Sequence, residues 1–116
     1  MATKTKTKPA ATPKLPGRYL RFQKAYPDVF AAYDALGNAT QEAGPLSAKE
    51  RALVKLALAV GARLEGAVHS HTRRALEAGC APAEIRHAVV LATTTLGFPA
   101  MMAALSWVDD VLGGAG

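Results

Sequence analysis

The chain has 116 residues, enough for one domain with a single modest core. Half of its residues are apolar but only 6% are aromatic, so Ala, Leu and Val must form that core. The net charge of +5 suggests nucleic acid until it is located: Lys4, Lys6, Lys8 and Lys14 lie in residues 1–16, leaving ten basic residues against nine acids in the rest. A nearly neutral body argues against a nucleic-acid partner, and no apolar run approaches the roughly 18 residues of a membrane span.

Residues 1–16 alternate Lys with Thr, Ala and Pro and are expected to be a disordered basic tail. They lack the arginines and the long apolar stretch of a transit or signal peptide. Residues 17–116 are expected to be one all-α domain, because no alternating run is long enough for a strand. A short helix is expected over 17–25. Pro27 and Asp28 suit the first turn of a second helix reaching about Thr40, and Gly44-Pro45 then breaks the chain. Ser47 with Glu50 forms a capping box ahead of Leu53, Leu56, Ala57 and Val60 at helical spacing. Gly61 is expected to allow a bend into a helix over 63–78. Gly79 should end that helix in a left-handed cap, with Cys80 packing back on its last turn. Pro82 and Glu84 should open a helix running to Gly97, apolar nearly all round from Ala88 to Ala92. Gly97-Phe98-Pro99 starts the last helix, with Met102, Leu105, Val108, Val111 and Leu112 recurring. Met101, Met102, Leu105 and Trp107 are interface candidates as much as core, so self-association through the last two helices is expected.

The densest chemistry lies in RLEGAVHSHTRRALEAG, residues 63–79. Glu65 and His69 are four apart and share a helix face. His71 lies about 200° around the helix from His69, on the apolar stripe of Leu64, Ala67, Val68, Ala75 and Ala78. The three residues therefore form no ready-made metal cage, and no metal is expected. An inward histidine can move a proton at physiological pH if a substrate reaches it. Glu65 and His69 read either as a surface helix pair or as acid–base helpers. Arg63, Arg73 and Arg74 offer guanidinium forks that match a substrate carboxylate, or simply face solvent. His87, near Glu84 and Arg86, reads as a solvated face. Cys80 is the single cysteine, which excludes an intramolecular disulfide or a Cys-x-x-Cys pair and suggests cytoplasmic residence.

The succession LSAKERALVKLALA (46–59), ARLEGAVHSHTRRALEAG (62–79) and APAEIRHAVVLATTTLGFPA (81–100) resembles the carboxymuconolactone decarboxylase family, which includes the AhpD-like alkylhydroperoxidases. The likeness covers roughly residues 45–112 and weakly the YPDVFAAYDAL stretch. It implies an AhpD-like helical bundle of five or six helices, assembled through helix pairs into trimers or hexamers. His71 falls on the histidine of the family's Cys-x-x-Cys-x-x-x-His run, whose cysteine positions hold Leu64 and Ala67; the relay glutamate falls near Ala52. The decarboxylase branch fits better through Glu65, His71 and Arg73, although Ala67 stands where its glutamate precedes the histidine.

The resemblance implies a small, cofactor-independent acid/base enzyme of decarboxylase or lyase type, acting on a small carboxylated substrate. His71 would be the proton donor or base, with Glu65 and His69 assisting and Arg73 and Arg74 binding substrate. The alternatives are an AhpD-like antioxidant of the peroxiredoxin type and a non-catalytic oligomeric binding module. The missing cysteines argue against the former, since the thiolate is the nucleophile.

Overall fold

The computed structural model describes residues 17–113; the proposed tail, residues 1–16, lies outside them. Among the described residues every regular element is helical. The order is α1 (Gly17–Ala25), α2 (Pro27–Gln41), α3 (Ala48–Ala62), α4 (Glu65–Glu77), α5 (Pro82–Val90), α6 (Thr93–Leu96) and α7 (Phe98–Leu112). Since α6 is a single turn, six longer helices remain, in line with the all-α expectation. None is long and apolar enough to cross a membrane.

The chain divides into two compact units, with the boundary between Leu46 and Ser47. In the first, α1 and α2 form a hairpin in which Tyr19 meets Phe30 edge-on at 5.7 Å between ring centroids. Pro27 occupies the first turn of α2 and Asp28 stands beside it, as expected. No residue of either helix is buried, and Tyr26, Val29, Tyr33 and Leu36 stay exposed.

The second unit is the bundle that carries the chemistry. Its start is fixed by the capping box: the Glu50 N–H donates to Ser47 Oγ at 3.1 Å, and the Ser47 N–H donates to Glu50 Oε1 at 2.8 Å. These bonds satisfy two of the N–H groups that a helix start leaves open. Helix α3 contributes Leu56, Ala59 and Val60 to the core, α4 Val68, Thr72 and Ala75, α5 Ile85 and Val89, and α7 Met101, Ala104 and Val108. The Thr72 hydroxyl escapes an unpaired burial by donating to the Val68 carbonyl at 2.7 Å.

Three local expectations change. The bend after α3 falls at Arg63, which has φ 59°, whereas Gly61 remains inside the helix. Leu64 caps α4 in extended backbone and is exposed, so the buried stripe is Val68–Thr72–Ala75, without Leu64. The helix expected from Pro82 to Gly97 is interrupted at Leu91 and Ala92. There the Thr93 hydroxyl donates to the Val90 carbonyl at 2.6 Å, the local competition that a β-branched hydroxyl run offers to helix propagation. On α7 Met101 belongs to the core, Leu105 and Trp107 pack against it, and Met102 is the exposed one.

The α4–α5 junction follows the sequence closely. Gly79 has φ 96°, its N–H donates to the Leu76 carbonyl at 3.0 Å, and the Cys80 N–H donates to the Ala75 carbonyl at 2.9 Å. This is a Schellman cap, and the buried Cys80 closes it against the bundle. Pro82 then opens α5, with the Ala81 N–H donating to Glu84 Oε1 at 2.7 Å.

Candidate functional site

Helix α4 packs between α3 and α7 and presents different chemistry to each. On one side Glu65 and His69, one turn apart, meet Asp110 of α7. His69 Nε2 lies 2.9 Å from Asp110 Oδ2 and 3.9 Å from Glu65 Oε2. The imidazole N–H is thus bonded to Asp110, while Glu65 stands beyond hydrogen-bond distance. The expected Glu65–His69 pair is real as an electrostatic contact, but the closer partner comes from forty-one residues downstream. Next to this cluster Arg86 of α5 donates to Asp109 at 3.0 Å, tying α5 to α7.

His71 belongs to another neighbourhood. It is half-buried at the edge of the Val68–Thr72–Ala75 stripe. Its proton affinity is lowered first by burial and then by the charges of Lys55, on α3, and Arg74, on α4. Burial and two cations all disfavour an imidazolium, so the free imidazole is neutral at neutral pH. The five residues singled out in the sequence therefore separate. Glu65 and His69 join Asp110, His71 and Arg74 join Lys55, and Arg73 sits half-buried one turn beyond His69.

Lys55 and Asp110 are the additions that sequence reasoning missed. The signal for Lys55 was faint: it is a lone cation in the otherwise apolar run LVKLALAV, where only the α3–α4 packing reveals what it faces. Asp110 carried no signal, because which of two adjacent aspartates turns to α4 depends on the register of two helices far apart in sequence.

Cys80 offers no thiol chemistry in this setting. It is buried, its Sγ donates to the Lys49 carbonyl at 3.8 Å, and burial, reinforced by Glu84, raises the thiol's proton affinity. A thiolate nucleophile needs the opposite environment. Glu84 itself is held below the usual carboxylate range by the Ala81 N–H and by Lys49, whose Nζ lies 3.4 Å away.

A groove of about 640 Å³ lies between α3 and the α5–α6 segment. Its walls are mainly Leu53, Val54, Ala57, Leu91 and Leu96, with Glu84 and His87 among its polar groups. His87 is thus exposed, as expected, but faces an apolar groove rather than a plain polar surface. None of Glu65, His69, His71, Arg73 or Arg74 lines it.

An uncharacterized protein of Haemophilus influenzae (strain ATCC 51907 / DSM 11121 / KW20 / Rd) is 44% identical over 52 residues, which cover 45% of this chain and 46% of the relative. The match thus spans about half the length of that curated relative. No solved structure gives a significant match. The sequence profile of the carboxymuconolactone decarboxylase family matches residues 27–110, from the start of α2 to Asp110 at the end of α7. The matched span holds His71, Lys55 and the Glu65–His69–Asp110 cluster, and the chain belongs to the carboxymuconolactone decarboxylase family.

Proposed function

We propose that this protein is a cofactor-independent acid/base enzyme acting on a small carboxylated substrate, with His71 as the proton-transfer group and Lys55 and Arg74 as the carboxylate-binding cations. The observation that carries this reading is the half-buried imidazole of His71 within electrostatic reach of two cations from two helices. Cations beside a neutral base suit a substrate that arrives with negative charge. A carboxylate seated on Lys55 and Arg74 cancels their field at the imidazole and favours its protonated form. Binding thereby prepares the proton that the reaction consumes. Loss of CO2 from a carboxylated lactone leaves an enolate-like carbanion, and proton delivery from His71 completes the product, with the positive side chains stabilising the developing charge. Arg73 extends the same helix and is a reserve contact for a larger anion; Glu65 and His69, on another face of α4, take no part in this step.

The test is a screen of small carboxylated lactones and related acids for CO2 release by the purified protein, followed by variants. His71→Ala should abolish turnover, and Arg74→Gln should both raise KM and lower kcat, since it removes a substrate contact and a charge that stabilises the transition state. If His71→Ala melts earlier but keeps full specific activity, His71 is structural and the reading fails.

A second reading, a non-catalytic oligomeric binding module, is favoured by one observation: the groove is lined by none of the acid/base candidates named in the sequence. For either reading we take the partner to include further copies of the chain, because α3 and α5 leave Val54, Leu58 and Val90 exposed together with Leu91. The antioxidant alternative has no support from Cys80, which is buried with a raised thiol proton affinity.

A further inference from the structure

We propose that Glu65, His69 and Asp110 form a binding site for a divalent first-row transition-metal ion, separate from the His71 site. One ligand atom from each residue, His69 Nε2 and a carboxylate oxygen from Glu65 and Asp110, lies within 4.8 Å of the other two. Ligand atoms that share an ion at about 2.0–2.2 Å must stand about 3.0–3.5 Å apart, for octahedral or tetrahedral angles. Nε2 is already 2.9 Å from Asp110 Oδ2 and 3.9 Å from Glu65 Oε2, so small rotations of exposed carboxylates complete the set.

The protein's own hydrogen bonds do not saturate the cluster, whose exposed carboxylates otherwise face solvent. Two carboxylates converge on one ring nitrogen, and a single N–H can serve only one of them. Asp110 takes it, and Glu65 is left at 3.9 Å with attraction but no hydrogen bond. A dication among the three would neutralise both carboxylates and take the Nε2 lone pair, the ring proton moving from Nε2 to Nδ1 as the ion binds. The neighbouring acid does not compete, because Asp109 is engaged by Arg86 at 3.0 Å.

The scaffold is also suitable. Glu65 and His69 are spaced i, i+4 on α4, so both project from one face, and Asp110 comes from α7, which packs against α4. One imidazole and two carboxylates favour Zn²⁺, Co²⁺ or Mn²⁺ over Mg²⁺, which prefers oxygen and water. Three protein ligands leave room for water or a small anion on the ion. The sequence alone predicts no metal here, because Glu65, His69 and His71 do not share one helix face and Asp110 is not among its candidates.

Metal-free full-length protein should be titrated calorimetrically with Zn²⁺, Mn²⁺ and Mg²⁺. One Zn²⁺ should bind per chain, Mn²⁺ more weakly, and Mg²⁺ not at all over the same range. Asp110→Asn and Glu65→Gln should each weaken Zn²⁺ binding by about tenfold or more. His71→Gln, Cys80→Ser and His87→Gln should leave it unchanged. In the unmodified protein, substoichiometric Mn²⁺ should broaden the ring resonances of His69 first, a readout that does not depend on any variant folding. Absence of Zn²⁺ binding up to millimolar concentration would overturn the proposal. So would Mg²⁺ binding as tightly as Zn²⁺, undiminished binding in both carboxamide variants, or first broadening at His71 or His87.

Discussion

Cys80 is 4% exposed, seals the cap of α4, and donates its thiol proton to the Lys49 carbonyl. Its chemistry follows from that position. Burial raises the thiol's proton affinity, so the thiolate fraction at neutral pH is small and access is poor. A thiol reagent should therefore label the native protein slowly and label it at once in denaturant, and hydroperoxide should not be consumed with a dithiol donor. Rapid native labelling would contradict the burial argument. Single positions of this kind were legible in the sequence because the cause was local: Gly79 signals the left-handed cap and Cys80 follows it. His71 was legible as an inward residue by helical periodicity. The partners of the α4 histidines were not, since Lys55 comes within electrostatic reach of His71 only through the packing of α3 on α4, and Asp110 reaches His69 only through the packing of α7.

Helix boundaries show the same division between local and tertiary causes. The start of α3 was readable because Ser47 and Glu50 bond each other across one turn. Ser47→Ala should cost about 1 kcal/mol, read as a lower denaturant midpoint with an unchanged slope. The Glu50 carboxyl is held below its usual range by the Ser47 N–H and hydroxyl. Its contribution is therefore full above the ordinary carboxylate range and is lost as pH falls through the depressed folded value, so the Ser47→Ala penalty should shrink in acid.

The sequence places the bend of the α3–α4 junction at a glycine, and the backbone turns two residues later. Gly61 is helical, and a Cβ placed there meets nothing within 4 Å. Gly61→Ala should accordingly stabilise the protein by about 0.5–1 kcal/mol, the helix-propensity difference. Arg63 carries the left-handed backbone instead, at φ 59°. Arg63→Gly should relieve a strain of roughly 1–2 kcal/mol, partly offset by the greater freedom of glycine in the unfolded chain. If Gly61→Ala destabilised and Arg63→Gly did the same, the bend would have to be relocated to Gly61.

At the scale of the whole molecule, two kinds of apolar helix residue behave differently. Of the four interface candidates of the sequence, Met101 is core, Leu105 and Trp107 pack against it and Met102 stays exposed, whereas Leu58, 66% exposed, and Leu91, 62% exposed, stand on the outside of α3 and beyond the end of α5. Val54 and Val90 lie near them in sequence and are also exposed. Exposed apolar side chains of this kind are what an association surface would use, and a closed symmetric assembly of identical chains is the commonest such solution. Light scattering at micromolar concentration should then give a mass that is a multiple of 12.1 kDa. Leu58→Glu should dissociate the assembly while leaving the helical circular dichroism intact, because the charge replaces a side chain that only a partner covers. Leu105→Glu should instead lower the melting temperature sharply, since it places a carboxylate against Val108 and its core neighbours. A monomeric mass for the unmodified protein would remove the interface. Loss of folding in Leu58→Glu would place that residue in the core of the native assembly rather than at a separable contact. The two variants read together therefore distinguish a surface made for association from an apolar helix that is merely incompletely covered.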